Sequence, residues 1–335
     1  MKLCFPVISI LTLLTASACT AIQKQPSLSV AGDELFADSF TGKTVDTNHW
    51  AAVKGTWKID AETVQGTEVA DDHHAAVIRT AVPFDDAVIH FRFKLESCRA
   101  ISISINEQQG HHSRVLITPN GFSLQKDRNK KDPRSLSIPL GRCNTRFQPG
   151  IWYRMTVEYS GNTMLAWIDD RRFAIGTQAG LHTPKANIGF TVSGGSASFD
   201  DFSVSKVSST PGKETTFRQL IAKQKVRADV ALDPRTALTE RETLLRVRLM
   251  QNDPEFNALL DRRIALDEQL HRRWPKAFRP GSAGTAARKK LIAEDAEFKA
   301  MNAQWTKARK AEQDYLLKTD PELAAMRTAL QSSNI

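Results

Sequence analysis

The sequence predicts a mainly β chain followed by α: an antiparallel β-sandwich over 33–207, then an α-helical, coiled-coil-like region over 217–335. Three observations carry that division. Short runs with a period of two fill the first part. Fifteen of the seventeen glycines precede Lys213. After Ser208-Ser209-Thr210-Pro211-Gly212 the composition shifts to Ala, Leu, Gln, Glu, Lys and Arg with helical spacing, so 208–216 reads as a linker. With 335 residues, 41% hydrophobic and 25% charged, the chain can fill a core and is too polar to cross a membrane repeatedly.

The chain opens with an address, 1–18. Lys2 precedes an apolar stretch from Leu3 to Leu14, then Ala16-Ser17-Ala18-Cys19. A stretch of that length is short of the roughly 20 residues a span requires, and it fits a secretory signal. Ala16-Ser17-Ala18-Cys19 resembles a bacterial lipobox, with Ala16 where Leu is usual; the resemblance implies lipidation of Cys19. Thr20 after it implies the outer membrane. The alternative is ordinary cleavage after Ala18, leaving Cys19 as a thiol. Either way the expected location is the cell envelope, with 19–32 as an N-terminal linker and a lipid anchor as the expected membrane contact. In an oxidising compartment Cys98 and Cys143 are expected to pair, which would stabilise the fold by about 4 kcal/mol. Two buried thiols are the alternative.

The strands follow from alternation. In Val88–Glu96, Ile89, Phe91, Phe93 and Leu95 share one face, opposite His90, Arg92, Lys94 and Glu96. In Ile101–Asn106, the isoleucines oppose Ser102, Ser104 and Asn106. Further runs are Arg114–Thr118, Gly121–Lys126, Tyr153–Tyr159, Met164–Ile168 and Asn187–Val192, separated by turns such as Pro119-Asn120-Gly121 and Ser160-Gly161-Asn162.

Several of these segments are similar to a known family. Phe36-Ala37-Asp38-Ser39-Phe40, Trp50 and Gly55-Thr56-Trp57-Lys58-Ile59 resemble the opening of a concanavalin A-like jelly roll. Pro149–Glu158 with Ala166-Trp167-Ile168-Asp169 resembles its central hairpin, and Ser198–Val204 its closing strand, although Asp169-Asp170-Arg171-Arg172 replaces the usual Asp-Gly turn. Within that class the sequence resembles the bacterial 3-keto-disaccharide hydrolase-like group, often loosely labelled family 16 glycosidases. The resemblance implies a carbohydrate partner and cleavage of 3-keto-glycosides.

The residues themselves support less chemistry. The paired carboxylates of a laminarinase, Glu-x-Asp-x-x-Glu, are absent, and the neighbours Asp169-Asp170 and Asp200-Asp201 point to opposite faces if extended. His73-His74 and His111-His112 lack a clustered third ligand, so no metal and no cofactor is expected. If the strands at 88–96, 101–106 and 114–118 form a meander, Arg92, Ser104, Asn106 and Arg114 offer sugar hydroxyls donors and acceptors on one surface. Glu96 and His112 are then the candidate acid–base pair. The alternative is an ordinary solvent face.

In the tail a motif recurs around Asp253-Pro254-Glu255-Phe256, Asp295-Ala296-Glu297-Phe298 and Asp320-Pro321-Glu322-Leu323. Aspartate caps a helix, proline fits its first position, and glutamate complements its positive end. Each copy therefore ends one helix and starts the next. Basic pairs such as Arg262-Arg263 lie beside acids, so no nucleic acid is expected; the apolar stripes suggest self-association or a protein partner. Two functions follow: an envelope-anchored carbohydrate-recognising protein, or a non-catalytic envelope structural protein that binds a partner through its helices.

Overall fold

The computed structural model describes residues 25–227, 233–279 and 281–332; the segment expected to be a leader, 1–18, and Cys19 lie outside them. Two antiparallel sheets pack face to face. In spatial order the first contains β13 (Phe173–Thr177), β12 (Thr163–Trp167), β11 (Trp152–Ser160), β6 (Ala87–Leu95), β15 (Ser196–Ser209), β4 (Thr63–Thr67) and β3 (Thr56–Asp60). β1 (Val30–Asp38) also pairs with β15. The second contains β10 (Ile138–Asn144), β9 (Gly121–Lys126), β8 (Gly110–Thr118), β7 (Ala100–Glu107), β14 (Lys185–Ser193), β5 (Ala76–Phe84) and β2 (Trp50–Lys54). The late strands β14 and β15 insert between early ones, which makes the sandwich a jelly roll.

Alternation places the core where the sequence predicts it. Ile89, Phe91, Phe93 and Leu95 face Ile101, Ile103 and Ile105 of the other sheet, all buried. At the centre, Phe190 stacks on Phe199 with ring centroids 4.2 Å apart, and Trp50, Phe91 and Phe202 surround the pair. Each such aromatic contributes about 1.5–3 kcal/mol by leaving water. β15 is irregular between Asp200 and Ser203, where Asp201 takes φ 45°. There its outer partner changes from β4 to β1.

The expected Cys98–Cys143 disulfide is not formed, although both residues are buried. The topology explains why. Ile101, Ile117, Phe122 and Cys143 are successive cross-strand partners, so three strand spacings of about 4.8 Å separate β10 from the start of β7, just after Cys98. A disulfide tolerates Cα atoms no more than about 7 Å apart.

Helices α1 (Lys213–Arg227), α2 (Pro234–Asn252), α3 (Pro254–Arg273), α4 (Ser282–Glu294), α5 (Ala296–Thr319) and α6 (Pro321–Ser332) follow. α1 closes the edge of the first sheet: the Gln224 amide accepts from Ile175 N and donates to Ile175 O, both at 2.8 Å, as a neighbouring strand would. The repeated motif is used as expected. Asp253 and Asp295 each close one helix and cap the next, and Asp320 sits at the third junction. The second carboxylate oxygen of each takes a tertiary partner: Tyr315, Trp274 and Arg241 respectively. The residue three places on, Phe256, Phe298 or Leu323, is fully buried. The helices meet the second sheet at its β10 edge, where Arg142 pairs with Glu240 of α2, and Arg134 reaches Asn257 and Asp261 of α3.

Candidate functional site

The surface expected from a β6–β7–β8 meander is not formed. β6 belongs to the first sheet, while β7 and β8 lie in the second, because the connection at Glu96–Arg99 crosses between the layers. Arg92 and Glu96 therefore lie on one outer side of the sandwich, and Ser104, Asn106 and Arg114 on the other.

On the first sheet the charges neutralise one another. Arg92 donates to Asp200 at 3.0 Å and lies 4.8 Å over the Trp152 ring. Arg154 pairs with Asp201 at 2.8 Å. Glu96 pairs with Lys94 at 2.9 Å and accepts from Ser198 Oγ at 3.0 Å.

His112 does not join the row either. Ile105 pairs with Ser113 but Asn106 pairs with His111, so a bulge at His112 turns its ring toward the interior. Its exposure is only 3%. Nδ1 lies 2.7 Å from Ser113 Oγ, and Nε2 lies 3.1 Å from Gly180 O. Burial, then the nearby Lys185 ammonium, pushes its pKa down to about 4, so the ring is neutral near pH 7. His111 takes the outward place instead, with Nδ1 2.8 Å from Asn106 Oδ1. Asn106 in turn donates to Asn187 at 2.7 Å.

What remains is a coherent floor on the second sheet. Gln125, Arg114, Ser104, Gly189 and Arg79 face each other in one row across five strands. Ser123, Leu116, Ser102, Thr191 and Val77 form the next. The middle of this floor is small and hydroxylated: Ser102 Oγ lies 2.6 Å from Thr191 Oγ1 and 3.2 Å from Ser104 Oγ. Gly189 is required there, since a Cβ would stand 2.5 Å from Ile78 O and 2.8 Å from Arg79 Cγ. Arg114 is held rigid by two-pronged donation to Asp127, at 2.8–3.0 Å, and Gln125 donates to the same carboxylate at 2.7 Å.

Beside this floor lies a cleft of about 680 Å³. Leu116, Thr118 and Ser123 line its base, Asn120, Asn144 and Arg146 one wall, and Asp233 and Thr236 at the start of α2 the other. Asp233 is occupied as a helix cap, accepting from Thr236 N at 3.0 Å. Asp127 and Glu240 are occupied by Arg114 and Arg142. Among the described residues no three His, Cys, Asp or Glu side chains converge as metal ligands.

No family model matches this sequence. No curated protein matches it either. Solved structures do. A carbohydrate-binding module from Bacillus subtilis is 14% identical, covers 47% of this chain and 96% of its own, and has a TM-score of 0.40. A family GH16 endo-β-1,3(4)-glucanase is 11% identical over 53% of this chain and 93% of its own, TM-score 0.42. LamA from Z. galactanivorans, in complex with laminaritriose and laminaritetraose, is 11% identical over 53% and 100%, TM-score 0.41. At these identities and scores the matches assign no function, which has to be read from this chain's own geometry.

Of the residues singled out from the sequence, Ser104, Asn106 and Arg114 share the outer face of the second sheet; Arg79, Gly189, Thr191, Arg146 and the α2 wall beside them were not singled out. Thr191 and Gly189 fall in a run already read as a strand, Asn187–Val192, so alternation could have found their face. Nothing local points from Asp233 or Thr236 to the sheet.

Proposed function

We propose that the outer face of the second sheet, with the cleft at its α2 side, binds carbohydrate. One observation supports this above others: a rigid floor of hydroxyl, amide and guanidinium groups runs into an open cleft of about 680 Å³, a size suited to a few sugar rings. Sugar hydroxyls both donate and accept, and Thr118, Asn120, Ser123 and Asn144 at the cleft do the same, whereas Ser102, Ser104 and Asn106 are buried and bonded within the sheet. Leu116, 39% exposed, supplies an apolar patch for a ring face.

The reading favours recognition over cleavage. Glycoside hydrolysis uses two carboxylates on either side of the bond, about 5–9.5 Å apart, and among the described residues the cleft's lining carries one, Asp233, which is committed as a helix cap. Glu96 and His112, on different layers, do not form an acid–base pair. Cleavage of 3-keto-glycosides is therefore the weaker form of the proposal. The chain is further proposed to be exported and anchored through Cys19, with its division at 210–212, since β15 and α1 take up the rest of the expected 208–216 linker.

The test is retention of the full chain by a glycan array, with 3-keto-glycosides included and products monitored. Arg146→Ala and Ser123→Tyr are expected to weaken binding of the retained glycan about tenfold, about 1.4 kcal/mol, with an unchanged thermal midpoint. Retention of no glycan, or binding untouched by both changes, overturns the proposal. Anchoring is tested by mass spectrometry of the mature N-terminus, where an unmodified Cys19 excludes it.

A further inference from the structure

Charge in this molecule is concentrated in one lobe. Between positions 271 and 310 there are eleven Lys or Arg and three Asp or Glu, an excess of eight out of the chain's net +9. The other helical positions, 213–270 and 311–335, carry thirteen bases and fourteen acids. The lobe comprises the end of α3, a 3-10 turn at Pro275–Phe278, α4 and the first half of α5, packed around Leu270, Ala277 and Phe298.

Its three acids are already used. Asp295 caps α5 and accepts from Trp274, Glu297 pairs with Arg273, and Glu294 lies 3.8 Å from Lys290. Arg272, Lys276, Arg279, Lys289, Lys299 and Lys307 are exposed and form no ion pair among the described residues. The principal helix contacts with the sandwich are made elsewhere, by α1 at β13 and α2 at β10, and from Asp261, which contacts Arg134, to Arg272 the helix rises about 16 Å.

We propose that this lobe docks on an anionic phospholipid surface. The cations alone fit any polyanion; the apolar groups among them select a bilayer. Ile292, 38% exposed, sits on α4 one turn after Arg288 and Lys289. Arg273, Arg288 and Arg309 lie 5.0, 4.5 and 5.5 Å over the half-buried rings of Trp274, Phe278 and Trp305. Such pairs offer an apolar plate with a cationic edge, which suits the level where phosphate headgroups meet acyl chains. A nucleic acid duplex gives the exposed isoleucine nothing to bury in. This inference is independent of the carbohydrate proposal.

The experiment uses the full mature chain as Cys19→Ser, so that no acyl group contributes, and vesicles of phosphatidylglycerol mixed with phosphatidylethanolamine or of phosphatidylcholine alone. Co-sedimentation is expected with the anionic vesicles only, and is expected to be lost at about 0.5 M salt, where screening is complete within a few ångströms. Lys276→Glu with Lys289→Glu and Lys299→Glu is expected to weaken partitioning at least about 100-fold. Ile292→Ser leaves the charge unchanged and is expected to weaken it several-fold, with circular dichroism and thermal midpoint as in the parent. Equal binding to both vesicle types, insensitivity to both variants, or tighter binding to a DNA duplex than to anionic vesicles overturns the proposal.

Discussion

In the sandwich, thirty-odd apolar side chains form one continuous interior, from Phe40 through Phe190 to Val204, and most charged groups stay outside it. In the helices the apolar residues divide into two small clusters, one around Phe256 and one around Phe298. Between and around these sit charges: Glu312, almost wholly buried, pairs with both Arg246 and Arg263. The difference teaches where each part is vulnerable. A large interior fails by losing volume, whereas a region with little interior fails by losing a fastening.

The largest effect expected is therefore a cavity in the sandwich. Phe190→Ala removes a fully buried ring stacked against Phe199 and should cost about 3–5 kcal/mol in chemical denaturation. A cost below about 1 kcal/mol would mean that the stacked pair is not the centre of the interior. In the helices the matching change is Glu312→Ala. It leaves two arginines facing each other and should cost about 3 kcal/mol, read by circular dichroism of the helices. Glu312→Gln should recover part of the loss; if both variants are neutral, the contrast drawn above fails.

A pH titration sharpens the comparison. The folded sandwich holds the His112 pKa down at about 4 against an ordinary 6.5, so the unfolded chain binds its proton first. The stability this contributes is complete above pH 6.5 and is lost progressively as the pH falls toward 4. The groups facing the ring are Lys185 and Lys126, which favour the neutral form, and Asp127 and Gly180 O, which favour the charged one. His112→Gln should flatten the acid limb of the stability curve. The smallest effect belongs to Asp253→Ala, a cap on an exposed turn, which should lower the helical melting midpoint less than Glu312→Ala does. The carboxyl of Asp253 titrates below its ordinary range because Phe256 N and Tyr315 donate to it, so that cap weakens only in strong acid.

Much of this was legible in residue spacing. The period of two in Val88–Glu96 and Ile101–Asn106 identifies which side chains face inward, and Asp-Pro-Glu marks the helix joints. What alternation lacks is the identity of the sheet. β6 and β7 alternate alike, yet the four-residue connection between them changes layers, which separated Arg92 from Ser104. His112 was misplaced for a related reason: a single extra residue in β8 inverts the parity of everything before it. The cysteines show the same limit, since spacing in sequence does not tell that Cys98 lies in the connection between layers and Cys143 on β10, three strands from β7.

The one-residue joints at Asp253, Asp295 and Asp320 have a mechanical consequence. Successive helices meet with no slack segment between them, and each junction is also clamped from the side by Tyr315, Trp274 or Arg241. A single residue inserted at such a joint would turn the next helix by about 100° about its axis and break its register with the rest. These boundaries should thus reject insertions that the exposed Gln108–Gly110 hairpin tip would accept.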